Sequence, residues 1–116
     1  DTYALFEIIK FNSNYEKYTK DVAIITTKVN LMELHYGLLI KYGRKEADKY
    51  FEELLKFVVE IDDEIIKKAN DFKASFKERK FSYIDCIGYI FAKSRSIKFL
   101  TGDQQFRDLD NVEFVK

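Results

Sequence analysis

Short runs of apolar, β-branched residues alternate along the chain with longer stretches whose apolar positions recur about every three to four residues, the mark of strands alternating with amphipathic helices. Leu5, Ile8 and Ile9 predict a short helix from Tyr3 to about Phe11, broken by Asn12, Ser13 and Asn14. Val22 to Thr26 reads as a buried strand. Thr27 is placed to cap a helix over Lys28 to Tyr42, and Gly43 to stop it. Arg44 to Lys56 reads as a second helix and Phe57 to Ile61 as a strand. Asp62 or Asp63 caps a long helix to about Lys80, and Ser82 opens another that ends near Arg95 or Ser96. A strand over Ile97 to Thr101, closed by Gly102, a helical turn over Gln104 to Leu109 and a strand over Val112 to Val115 complete the order.

Strands separated by one or two helices imply an α/β fold, with a mostly parallel sheet and helices on both faces. In such sheets the site lies beyond the carboxyl ends of the strands. The expected core includes Ile8, Ile24, Ile25, Leu34, Leu54, Val58, Val59, Ile65, Ile87, Phe91, Phe99, Leu100 and Phe114. With 116 residues the chain suits a single domain, residues 1–116. Twenty basic and twenty acidic residues cancel, so nucleic acid has to be held by a local patch and not by a global field. The single Cys86 and single His35 exclude a disulfide framework and a cysteine- or histidine-rich zinc site, and they suit a reducing cytoplasm. Neither a signal peptide nor an apolar run of about 20 residues is present, so no membrane association is expected.

Four acids stand out from the solvated majority. Asp85 sits in Ile84-Asp85-Cys86-Ile87-Gly88, in a helix that is apolar or small nearly all round. A carboxylate there is costly unless paired, capped or bound to a cation. It also fits the first helical turn behind an N-cap Ser82. Glu33 shares a helical face with Val29, Tyr36, Gly37 and Ile40, as a site residue or as a glutamate at the edge of an apolar stripe. Asp103 follows a strand through Gly102, at a site position or as a turn cap. Asp1 precedes the first helix, as an N-cap or at the carboxyl end of a strand before it. Hard oxygen donors without His or Cys select Mg²⁺ or Mn²⁺, and such ions suit phosphodiester hydrolysis.

These residues carry a resemblance. The segments Asp1-Thr2-Tyr3-Ala4-Leu5, Asn30-Leu31-Met32-Glu33-Leu34, Tyr83-Ile84-Asp85-Cys86-Ile87-Gly88 and Leu100-Thr101-Gly102-Asp103 followed by Phe106 resemble, in order and spacing, PIN domains and among them the small VapC-like ribonuclease toxins. The resemblance implies a PIN-like three-layer fold and a metal-dependent endoribonuclease. It implies Asp1, Glu33, Asp85 and Asp103 as the catalytic, Mg²⁺- or Mn²⁺-binding acids, with Thr101 in support. It also implies an RNA substrate, a homodimer and a cognate antitoxin. The family's first strand, central in its sheet, is expected ahead of Asp1 and is missing from this sequence. Many relatives carry a further acid two residues after the fourth, where this chain has Gln105.

Lys93 and Arg95 are the candidate phosphate contacts, and Tyr83 and Tyr89 are either base-stacking or core residues. His35 reads as a surface or interface residue and Cys86 as a buried small hydrophobe. Aromatic density between Tyr3 and Lys56 points to helix faces that pair two copies. Two other classes stay open: a PIN-like binding or scaffold module without catalysis, and an RNA-processing PIN nuclease outside toxin–antitoxin pairs. A phosphoacceptor receiver domain needs an aspartate ending a middle strand and a lysine ending a late one; the late strand here ends in Thr101.

Overall fold

Thr27 both ends a strand and starts a helix. Its backbone is extended (φ −118°, ψ 160°). Its hydroxyl accepts from the Asn30 N–H at 3.2 Å and donates to Asn30 Oδ1 at 2.6 Å. This satisfies one of the donors a helix start leaves open. The computed structural model describes residues 1–20 and 23–116, and within it the chain divides into two compact units. One holds Thr2 and Ala4–Glu60; the other holds Asp1, Tyr3 and Ile61–Lys116.

In the first unit, helix α1 (Thr2–Ile9) is followed by a 3₁₀ turn at Ser13–Tyr18, strand β1 (Thr26–Thr27), helices α2 (Lys28–Tyr42) and α3 (Arg44–Leu54), and strand β2 (Val58–Val59). Strands β1 and β2 pair in parallel, Thr26 opposite Val58 and Thr27 opposite Val59. Gly43 joins α2 to α3 at φ +93°, a conformation that a side chain disfavours, and its N–H bonds to the Leu38 and Leu39 carbonyls. The core is Leu5, Leu31, Leu34, Leu38 and Ala47. Each fully buried leucine contributes about 1.5–3 kcal/mol.

In the second unit, α4 (Asp63–Ser75) and α5 (Tyr83–Ser94) precede β3 (Phe99–Thr101), a 3₁₀ turn at Gln104–Phe106 and β4 (Val112–Phe114). Strands β3 and β4 are parallel, with Phe99 opposite Val112 and Thr101 opposite Phe114. Asp62 caps α4 and Ser82 caps α5 through their side chains. The core is largely aromatic: Phe81 lies 4.4 Å from Phe106 between ring centroids, and Tyr89 meets Phe99 edge-on at 5.8 Å.

The α/β alternation, the helix caps and the parallel pairing match the sequence expectation. The four strands pair as two two-stranded ladders, β1 with β2 and β3 with β4, and each is only two or three residues long. Of the strand expected from Val22 to Thr26, only Thr26 pairs; Val22 lies outside the described residues. Ile25, expected in the core, is 45% exposed because it precedes the paired residues. The helix expected to reach Lys80 ends at Ser75, where Phe76 leaves helical geometry (φ −123°, ψ 46°).

Candidate active site

At the carboxyl end of β3, Thr101 is fully buried. Its hydroxyl donates to Asp1 Oδ2 at 2.5 Å and accepts from the Asp103 N–H at 3.0 Å. The Asp1 amino group donates to the Leu100 carbonyl at 2.8 Å. One threonine thus ties Asp1 to the backbone of Asp103. Gly102 between them gives the Tyr3 ring room: a Cβ there would run into the ring, so one of the two would have to move. Asp103 also caps the following turn, its Oδ1 accepting from Gln105 N–H at 3.0 Å.

Asp85 is half-buried in the first turn of α5, and its N–H donates to Ser82 Oγ at 3.0 Å. The expected cap therefore forms, with Ser82 as the capping side chain. Cys86 beside it is buried, and burial pushes its thiol up to about 11, so it stays protonated and inert at neutral pH.

Glu33 belongs to the other unit. Its Oε1 accepts from the Thr2 hydroxyl at 2.6 Å. Thr2 Oγ1 accepts in turn from Asn30 Nδ2 at 3.0 Å, and Asn30, 3% exposed, closes the relay on Thr27. The stripe read as apolar is split: Tyr36 is 67% and Ile40 70% exposed, whereas Gly37 packs against the Phe6 ring and Leu31, Leu34 and Leu38 form the buried face of α2. Sequence reasoning missed Asn30. The three-residue steps from Thr27 to Asn30 to Glu33 put the three on one helical side and were the available signal.

The two candidate phosphate contacts lie at the last turn of α5, far along the helix from Asp85. Lys93 is paired with Asp110 at 3.3 Å, and the Arg95 guanidinium lies 5.1 Å from the Phe91 ring centroid. Of the two tyrosines, Tyr89 is core, its hydroxyl donating to Asp110 Oδ1 at 2.6 Å, while Tyr83 is exposed with Lys73 Nζ 4.9 Å from its ring centroid. His35 is held by Asp48 at 2.8 Å and meets the Phe51 ring edge-on, joining α2 to α3.

The donors around Thr101 are carboxylate and hydroxyl oxygens, which suit Mg²⁺ or Mn²⁺ and do not suit zinc or copper. Among the described residues, no three His, Cys, Asp or Glu side chains stand grouped as metal ligands.

The helix–strand alternation reaches Thr101-Gly102-Asp103 at the end of β3, with the threonine hydroxyl bonded to Asp1. The PIN domain family model matches residues 1–112, and the chain belongs to that family. It is 34% identical over 73 residues to a VapC ribonuclease of Archaeoglobus fulgidus, an alignment covering 59% of this chain and 47% of that protein. The chain thus matches about half the length of that curated relative. No solved structure gives a significant match. No helix among the described residues is long and apolar enough to cross a membrane.

Proposed function

We propose that the chain is a metal-dependent endoribonuclease, the cytoplasmic toxin of a toxin–antitoxin pair. The observation that carries this reading is the Thr101 hydroxyl, buried between the Asp1 carboxylate and the Asp103 backbone in a chain of the PIN family. Support comes from the similarity to a protein named VapC ribonuclease. The resemblance assigns Mg²⁺ or Mn²⁺ to Asp1, Glu33, Asp85 and Asp103; a bound ion supplies an activated water and charge stabilisation at the phosphorus. Thr101 fixes the rotamer of Asp1 and leaves Asp1 Oδ2 hydrogen-bonded, so the carboxylate is oriented before any ligand arrives. The four acids leave no need for a side-chain nucleophile.

We further propose that a second copy covers the exposed face of α2, where Met32, Tyr36 and Ile40 recur at four-residue spacing and are 58%, 67% and 70% exposed. Light scattering at micromolar concentration tests this: a dimeric mass is expected, and a monomeric mass refutes it.

The catalytic reading is tested by incubating the folded protein with a broad RNA panel, with Mn²⁺ and with EDTA. Cleavage that requires Mn²⁺ is expected. Binding of RNA without cleavage under either condition would place the chain with the non-catalytic PIN-like modules. Cleavage that no protein from the neighbouring gene inhibits would favour an RNA-processing nuclease.

A further inference from the structure

We propose that Gln105 is a positioning residue for the acids of its unit, a role that rests on the ribonuclease reading. The position where many relatives place a further acid is here a clamp. The Lys80 N–H donates to Gln105 Oε1 at 2.8 Å, and Gln105 Nε2 donates to the Lys80 carbonyl at 3.3 Å. The primary amide thus pairs with residue 80 as a neighbouring strand does, using both its donor and its acceptor. Arg79 reinforces the clamp. Its Nη1 donates to the Gln105 carbonyl at 2.8 Å, and its two terminal nitrogens grip Asp108 at 2.8 and 2.7 Å.

Both ends of this clamp lead directly to a candidate acid. Gln105 N–H bonds to Asp103, whose own N–H bonds to Thr101, whose hydroxyl bonds to Asp1. Lys80 is two residues before Ser82, which caps the turn bearing Asp85. One continuous path of hydrogen bonds and short chain segments therefore runs from Asp1 through Thr101, Asp103 and Gln105 to the entrance of α5. A carboxylate at position 105 can accept from the Lys80 N–H but has no proton to give the Lys80 carbonyl at neutral pH, so an acid there does not close this clamp. In this chain, residue 105 fixes the spacing of the turn carrying Asp103 and the turn carrying Asp85 instead of supplying a ligand oxygen.

The test compares the parent with Gln105→Met, of similar length without hydrogen bonds, and Gln105→Ala. Three quantities are measured: amide hydrogen exchange at Lys80, Mn²⁺ affinity of the RNA-free protein by electron paramagnetic resonance, and the split between kcat and KM. Expected are faster exchange at Lys80, weaker Mn²⁺ binding, and a kcat lowered about 10- to 100-fold with KM little changed, as for small misplacements of catalytic groups. A folded variant with parental Mn²⁺ affinity and kcat overturns the positioning role and leaves the ribonuclease reading intact. A parent that neither binds Mn²⁺ nor cleaves RNA overturns both. If neither variant folds, the clamp is a support of the fold and the positioning role is overturned.

Discussion

Thr2 donates its hydroxyl to Glu33 across 31 residues of sequence, at 2.6 Å. The same oxygen accepts from Asn30, one helical turn before Glu33. Thr2 is therefore an intermediary: it converts the buried Asn30 amide, fixed by Thr27, into a constraint on the glutamate. Asp1, next to Thr2 in sequence, is constrained by another threonine, Thr101. Two successive residues at the start of the chain thus take part in two separate threonine–carboxylate bonds.

Replacing Thr2 by Val keeps the shape and removes both bonds. Asn30 Nδ2 is left without its partner in a buried setting, and the charged Glu33 loses a donor. The expected loss is about 1–3 kcal/mol, measured by urea unfolding, with Thr2→Ser close to the parent. A Thr2→Val protein as stable as the parent would show that water replaces the relay at no cost.

Gly102→Ala tests the close approach of Tyr3. The added Cβ runs into the Tyr3 ring, so one of the two has to move. The expected loss is about 1–3 kcal/mol from overpacking. Truncating the ring should relieve it, so the double variant Tyr3→Ala, Gly102→Ala should lose less than the two single losses added together. Additive losses in a thermal-unfolding cycle would mean that the alanine strains the backbone and not the ring.

The pair Tyr89 and Asp110 contributes to the pH response of the second unit. Burial, then the hydrogen bond to Asp110, raises the Tyr89 phenol above its ordinary value. The Tyr89 hydroxyl, then Lys93, holds Asp110 below the ordinary carboxylate value. For Asp110 the contribution to stability is present above the unfolded-state pKa and is lost as pH falls through the folded one. For Tyr89 it is present below the unfolded value of about 10 and is lost as pH rises towards the folded one. Tyr89→Phe should therefore flatten both limbs of the stability–pH curve relative to the parent. Denaturant melts between acid and alkaline pH check this; parallel curves for the two proteins would refute it.

What the sequence made legible was local. Helix ends were readable because Thr27, Gly43, Asp62 and Ser82 act on backbone groups within a few residues of themselves. Strand lengths were not, because a strand extends only as far as its partner: β1 stops at the two residues that face Val58 and Val59. Tyr15 is fully buried although it lies among Asn, Ser, Lys and Glu, where no periodicity marks it. Of the candidate site, the four acids were assigned by resemblance, from their order. Their holders were only partly visible: Thr101 followed from the resemblance, whereas Asn30, Thr2 and Gln105 act through bonds to partners 25 or more residues away. The orientation of α2 was also hidden, because Tyr36 and Ile40 look like core residues and face solvent.

Asp85 separates a structural acid from a functional one. Its N–H is already capped by Ser82, and its carboxylate sits at the positive end of the helix dipole, an effect of about 0.3–1 kcal/mol. If that were its whole role, Asp85→Asn would lower stability by this amount in EDTA and leave RNA cleavage unchanged. Under the proposed function, its charge is repelled by the other acids in the absence of metal, and removing it relieves that repulsion. The expected outcome is an Asp85→Asn protein at least as stable as the parent in EDTA and without Mn²⁺-dependent cleavage. Mg²⁺ should raise the melting temperature of the parent by mass action and that of the variant much less. Melting curves of both proteins with EDTA and with Mg²⁺, alongside RNA cleavage, decide the matter. A variant destabilised in EDTA, yet stabilised by Mg²⁺ as strongly as the parent and still active, removes Asp85 from the site and leaves it a helix-capping acid.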